Sequence, residues 1–164
     1  MEDREKRLSG KRILIVDDEP DILGSLEDLL DVCEIDRAGG YEEAAALLDR
    51  NGYDAAILDI MGVRGYELLE KTREKGIPTL MLTAHALSSK DFVKSIETGA
   101  QAYVPKDRIS DIGTFLLDVM DAAEGRTVKK RRWFDRLEAF FEEKFGRDWR
   151  EREDPEFWKK YFYM

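Results

Sequence analysis

The stretch KRILIVDDEP, Lys11–Pro20, runs four consecutive apolar residues, Ile13 to Val16, into the paired carboxylates of Asp17 and Asp18. A short apolar run that stops at charge reads as a strand buried on both faces. Pro20 suits a first helical turn, where its missing N–H costs nothing. Ile22, Leu23, Leu26, Leu29 and Leu30 then follow with helical spacing. The unit is therefore a buried strand, an acidic end and an amphipathic helix.

That unit recurs along the chain. A short strand near Cys33 to Ala38 is broken by Gly39-Gly40, and a helix follows from about Tyr41 to Asp49, ended by Asn51-Gly52. Strand Asp54 to Asp59 leads to a helix from about Tyr66 to Glu74. Strand Thr79 to Leu82 leads to a helix from about Ser89 to Glu97. A strand at Ala102 to Val104 leads to a helix from about Ile109 to Glu124. Apolar strands alternating with helices predict an α/β fold with a parallel sheet covered on both faces. Right-handed crossovers make that sheet doubly wound and place a ligand site at the carboxyl ends of its strands.

Composition narrows the function classes. The chain has 164 residues, 43% apolar, with a formal net charge of −9. The charge is uneven: residues 1–125 carry 15 basic and 27 acidic groups, residues 126–164 carry 12 and 9. An acidic main body argues against nonspecific nucleic-acid binding. The single cysteine, Cys33, excludes an intrachain disulfide and a cysteine-based zinc cluster, and reads as a small core residue of its strand. The charged start, MEDREKRLSGKR, is unlike a signal peptide, and no apolar run approaches a membrane span, so a cytoplasmic location is expected.

The chemistry lies at the strand ends. The first strand ends at Asp17-Asp18, the third at Asp59, the fourth (LMLT) at Thr83, and the fifth (YVPK) at Lys106. The topology brings these together on one edge of the sheet. Three adjacent carboxylates repel unless one is protonated or a cation is bound. All-oxygen ligation suits Mg²⁺ or Mn²⁺. With Lys106 as a second positive charge and the Thr83 hydroxyl as a donor, such a site would position and neutralise a phosphoryl group, and Asp59 could accept it as an acyl phosphate.

ILIVDDEP, ILDIM, LMLTA and AYVPK, in that order, resemble the signatures of the response regulator receiver domain, the phospho-accepting partner of a histidine kinase. The resemblance covers roughly residues 11–124. It implies a flavodoxin-like five-stranded sheet ordered 2-1-3-4-5, Asp59 as the phosphorylated residue, and Asp17, Asp18 and the Met61 backbone carbonyl as further Mg²⁺ ligands. It also implies Thr83 and Tyr103 as a switch pair and Lys106 as the phosphate partner. Met61 and His85, two residues after Asp59 and Thr83, would flank the phosphoryl group and tune its lifetime. The implied partners are a sensor histidine kinase or phosphotransfer protein, and a downstream protein or second copy at the switch face or the tail. No reaction beyond the chain's own phosphorylation and dephosphorylation is implied.

The chain departs from that pattern twice. Gly65 lies six residues after Asp59, where the family glycine lies about eight, and no proline intervenes. The family's Lys-Pro is replaced by Pro105-Lys106-Asp107. A cis bond at Lys106-Asp107 would cost about 3–4 kcal/mol without proline, so a trans bond is expected. Two other readings compete: a pseudo-receiver that only binds, and a phosphatase of the haloacid dehalogenase type. The second needs an acid two residues after its nucleophile, where this chain has Met61.

Residues 1–125 thus form the main domain, and residues 126–164 a tail holding 11 of the 17 aromatics. Trp133, Phe134, Leu137, Phe140, Phe141 and Phe145 make one apolar helical stripe, and Asp154-Pro155-Glu156 has the chemistry of a helix start. Lys129-Lys130-Arg131-Arg132 reads as a solvated helix start. The tail is short for a complete DNA-binding domain, its acids oppose DNA, and its stripe is expected to bury on the main domain or on a dimer mate.

Overall fold

The computed structural model describes residues 2–84, 88–125 and 131–162. Its strands are β1 (Arg12–Val16), β2 (Glu34–Ala38), β3 (Ala55–Asp59), β4 (Thr79–Thr83) and β5 (Ala102–Pro105). They form one parallel sheet in the order β2-β1-β3-β4-β5. Strands β3, β4 and β5 are buried along their whole length, which is why they read as apolar runs. Strand β2 lies at the edge, is half polar, and has only Ala38 fully buried.

The helices are α1 (Glu2–Leu8), α2 (Pro20–Leu29), α3 (Tyr41–Arg50), α4 (Gly65–Glu74), α5 (Ser89–Thr98), α6 (Ile112–Ala123), α7 (Arg132–Phe145) and α8 (Pro155–Tyr161). Helix α5 is held at its start by a reciprocal Ser88–Asp91 capping box and stopped by Gly99 at φ 117°. Helix α6 begins later than its spacing predicts. Lys106–Asp111 winds as a tighter 3₁₀ turn with Arg108 off helical geometry, and the regular helix starts only at Ile112. The Lys106 ammonium is held in a cluster of acids, described below, which fixes the start of this turn. No peptide bond among the described residues is cis, so Lys106-Asp107 is trans as expected.

Helix α1 left no periodic signal because only its last residue, Leu8, is both apolar and buried. It is held polar-side first. Arg4 donates to the Thr114 hydroxyl at 2.6 Å and Arg7 pairs with Asp121, both on α6. Cys33 corrects the strand reading: it precedes β2, is half-buried, and directs its S–H at the Leu8 carbonyl at 3.4 Å. Burial, with the charges of Asp31 and Asp54, pushes its thiol up to about 11, so it is inert as a nucleophile at neutral pH.

The tail folds back on the main domain. Trp133, Phe134, Leu137 and Phe141 of α7 are buried, while Phe140 and Phe145 lie half-buried at the margin of the stripe. Phe92 of α5 gathers the rings of Tyr103, Phe141 and Trp149, with centroids 5.2–5.3 Å away. Arg136 of α7 forks onto buried Asp118 of α6, its Nε and Nη2 at 2.6 and 3.1 Å. Arg131 is not solvated as its sequence context suggests. Its Nε donates to the Tyr161 carbonyl at 3.0 Å and its Nη1 to the Gln101 carbonyl at 3.1 Å, joining the two ends of the tail to the turn before β5. Lys129 and Lys130 lie outside the described residues.

Candidate functional site

The parallel register sets the strand ends side by side. Val16 is level with Leu58, Asp59 with Leu82, and Thr83 with Pro105. Asp17, Asp59, Thr83 and Lys106 therefore meet on one edge, together with Asp18. One carboxylate oxygen from each of Asp17, Asp18 and Asp59 lies within 4.8 Å of the other two. Asp17 and Asp59 are buried and Asp18 faces solvent.

Lys106 Nζ sits against this cluster, 3.0 Å from Asp17 Oδ2, 2.8 Å from Glu19 Oε2 and 3.5 Å from Asp59 Oδ1. Asp17 Oδ1 accepts from the Glu19 N–H at 2.9 Å. Asp17 Oδ2 is buried, with the Lys106 ammonium 3.0 Å away. One ammonium cannot neutralise so many acids. Burial first, then the Asp17 charge, push the Asp59 carboxyl up to about 7 against the lowering pull of Lys106. Burial likewise raises Asp17, and its Glu19 and Lys106 contacts only partly offset that. Burial alone would lower Lys106, but Glu19, Asp17 and Asp59 outweigh it and raise its ammonium.

The tight loop after Asp59 has a steric explanation. Gly62 has φ +82°, and a Cβ there would stand 2.2 Å from Asp18 Oδ2. A Cβ on Gly65 would stand 2.1 Å from the Asp59 carbonyl oxygen and 2.8 Å from Ile60 Cα. Both glycines let the loop press onto the acids that flank it. Arg64 between them holds φ 56°, stacks its guanidinium 3.8 Å over the Tyr41 ring and forks onto Glu67. Ile60 and Val63 are buried, and Met61 is 65% exposed.

Thr83 and Tyr103 share one small cavity with Ala84, Pro105 and the tail residues Phe140, Phe141, Lys144 and Phe145. The Thr83 hydroxyl donates to the Ala84 carbonyl at 3.1 Å. Tyr103 is buried and its hydroxyl, close to Thr83, makes no aligned hydrogen bond. His85 lies outside the described residues. Sequence reasoning missed Glu19, the nearest partner of Lys106, although it directly follows the acidic pair. It also missed the docking of the tail onto Thr83 and Tyr103, for which adjacency in sequence gives no signal.

A five-stranded 2-1-3-4-5 sheet with acids, a hydroxyl and an ammonium at its carboxyl edge defines a receiver-type signalling fold. The family model described as "Response regulator receiver domain" matches residues 13–113. The chain belongs to that family, whose members are the response regulators of two-component systems. The transcriptional regulatory protein TcrA of Mycobacterium tuberculosis is 35% identical over 106 residues, 61% of this chain and 42% of TcrA. The transcriptional regulatory protein CpxR of Klebsiella pneumoniae is 37% identical over 100 residues, 58% of this chain and 42% of CpxR. The chain thus spans less than half the length of these relatives. Among solved structures, a CheY-like receiver domain protein from Methanospirillum hungatei superposes with a TM-score of 0.64 at 31% identity, over 73% of this chain and all of that one. Among the described residues no helix is long and apolar enough to cross a membrane.

Proposed function

We propose that the chain accepts a phosphoryl group on Asp59 from a histidine kinase or phosphotransfer protein and passes the signal on by a change of conformation. The observation that carries this is the placement of Asp59 Oδ1, 3.5 Å from Lys106 Nζ inside the three-acid cluster. The carboxylate of Asp59 attacks phosphorus. The new O–P bond forms as the donor's P–N bond breaks, and the electron pair returns to the donor imidazole. Lys106 already stands beside the attacking oxygen and takes up the negative charge of the incoming phosphoryl oxygens. The Thr83 hydroxyl exchanges its Ala84 acceptor for one of them.

The donor set also fits a divalent cation. Asp17 Oδ2 and Asp59 Oδ1 both lean on the one ammonium of Lys106, Asp18 opens the cluster to solvent, and all the ligands are oxygen. Asp17, Asp18 and Asp59, with the Met61 carbonyl, would hold Mg²⁺ or Mn²⁺. That ion would supply positive charge against the acids and the phosphoryl oxygens. Without a cation, Asp59 is only partly ionised at neutral pH.

Asp59 is the only group we read as chemically modified, and the chain turns over no external substrate. Exposed, apolar Met61 beside the site cannot order an attacking water, which favours a long-lived phosphoryl state; a half-life of seconds would contradict this. The chemistry of the donor and the charged surface suit the cytoplasm. Incubation with Mg²⁺ and acetyl phosphate tests the reading. Intact mass should rise by one phosphoryl group in the wild type and stay unchanged in Asp59→Asn. An unmodified wild type would instead favour a binding-only module.

A further inference from the structure

Lys106 is shared unequally among its acids. Its Nζ donates to Glu19 Oε2 at 2.8 Å, and stands 3.0 Å from Asp17 Oδ2 and 3.5 Å from Asp59 Oδ1. The nearest carboxylate is the one that the phosphoacceptor reading does not use. The acids also differ in depth. The side chains of Asp17 and Asp59 are 0% and 6% exposed, that of Lys106 16% and that of Glu19 57%. Glu19 therefore lies on the solvent side of the ammonium and Asp59 on the inner side. A phosphoryl group bound for Asp59 comes in from solvent, the side that Glu19 occupies. The backbone fixes Glu19 there. Its N–H donates to Asp17 Oδ1 at 2.9 Å, and its carbonyl accepts from the Ile22 and Leu23 N–H groups at 3.1 and 3.2 Å. It stands at the N-cap of α2, where a carboxylate gains from the unpaired N–H groups of the first turn, yet its side chain caps nothing. It crosses instead to Lys106, 87 residues on in the sequence.

We propose that Glu19 is a positioning residue that acts through Lys106 and slows the loading of Asp59 by small anionic phosphodonors. This rests on the reading of Asp59 as phosphoacceptor. Glu19 opposes loading in two ways. It holds the ammonium that the incoming phosphoryl oxygens need, and its own negative charge stands on their side of the site. Both weigh on the transition state, where Lys106 must serve the phosphoryl oxygens. A bound divalent cation does not remove the effect. The oxygens that converge to hold one belong to Asp17, Asp18 and Asp59, so the charge of Glu19 stays balanced by Lys106 alone. The Glu19 carboxylate is more than half exposed, so its influence is a few-fold one rather than a matter of decades.

The test compares two donors on the full chain at saturating Mg²⁺: acetyl phosphate, and phosphoramidate, which carries less negative charge at neutral pH. With acetyl phosphate, Asp59 attacks phosphorus, the P–O bond to acetate breaks, and acetate leaves with the electron pair. With phosphoramidate the P–N bond breaks, and the nitrogen, already protonated, leaves as ammonia. Intact mass followed over time gives each loading rate. Glu19→Gln keeps the size of the side chain and removes its charge. Its loading by acetyl phosphate should be about three- to fivefold faster than in wild type, and its loading by phosphoramidate should gain less. The gain should shrink as salt is added, because the charge lies near the surface. Equal acceleration with both donors, or a gain that ignores salt, would mark a structural change and overturn the proposal. Unchanged or slower loading would overturn it too, while leaving Asp59 as the phosphoacceptor. A wild type that takes a phosphoryl group from neither donor would overturn both.

Discussion

The carboxyl end of β5 and the face of its Tyr103 differ in what holds them. On the side of Lys106 lie three carboxylates, a glutamate and one ammonium, packed at distances that favour charge neutralisation over stability. On the side of Tyr103 lies a dense aromatic layer with α7 pressed on top. The first region costs stability in the absence of a cation, and the second supplies it. The acid cluster is left under-neutralised, and the apolar layer beside it offsets that cost.

Substitutions that probe each region separately sharpen the contrast. Phe141→Ala opens a hole in the aromatic layer and should cost about 3–5 kcal/mol in urea unfolding, the largest effect expected from the tail. Gly65→Ala places a methyl against backbone atoms that cannot yield. It should cost about 3 kcal/mol and, unlike Phe141→Ala, distort the acid site directly. A loss under 1 kcal/mol in either would show that the region relaxes more freely than its packing implies.

Asp59→Asn should act in the opposite direction. The folded Asp59 carboxyl stands at about 7, above its ordinary 3.8. The folded state therefore holds its proton more tightly, and the stability this confers is present below pH about 4 and lost as pH rises through about 7. At pH 8 without Mg²⁺ the wild type carries the full cost of the buried charge. Removing it should stabilise the chain by about 2 kcal/mol, less than the shift alone implies because Lys106 loses a partner. The gain should vanish below pH about 4. A gain independent of pH would contradict the charge-crowding account. Smaller still, Arg64→Ala removes the stack on Tyr41 and the fork to Glu67 and should cost about 0.5–1 kcal/mol, because both are solvent-exposed.

Much of this was legible in the sequence for physical reasons. Strands buried on both faces must be apolar runs, so β1, β3, β4 and β5 announced themselves, and each ends in a side chain that parallel register places on one edge. The edge strand β2 and the 3₁₀ turn after β5 were less clear, because the first is half polar and the second answers to a tertiary ion cluster at Lys106. Helix α1 was invisible because a distant ion pair and a hydrogen bond to α6, not an apolar stripe, hold it. The tail's helices were legible from Trp133 to Phe145 and from the Asp154-Pro155 start, where Asp154 accepts from the Glu156 N–H as an N-cap should. Its docking site was not, since a stripe tells what must be buried and not against what. The glycines of the loop after Asp59 could be seen but not explained until the Asp18 carboxylate and the Asp59 carbonyl were placed beside them.

The most direct test of the central claim is to locate the modified atom. After incubation with Mg²⁺ and acetyl phosphate, hydroxylamine converts an acyl phosphate to a hydroxamate that survives peptide mapping. The account predicts a hydroxamate on Asp59 alone, absent in Asp59→Asn; modification of Asp17 or Asp18, or of no aspartate, would contradict it.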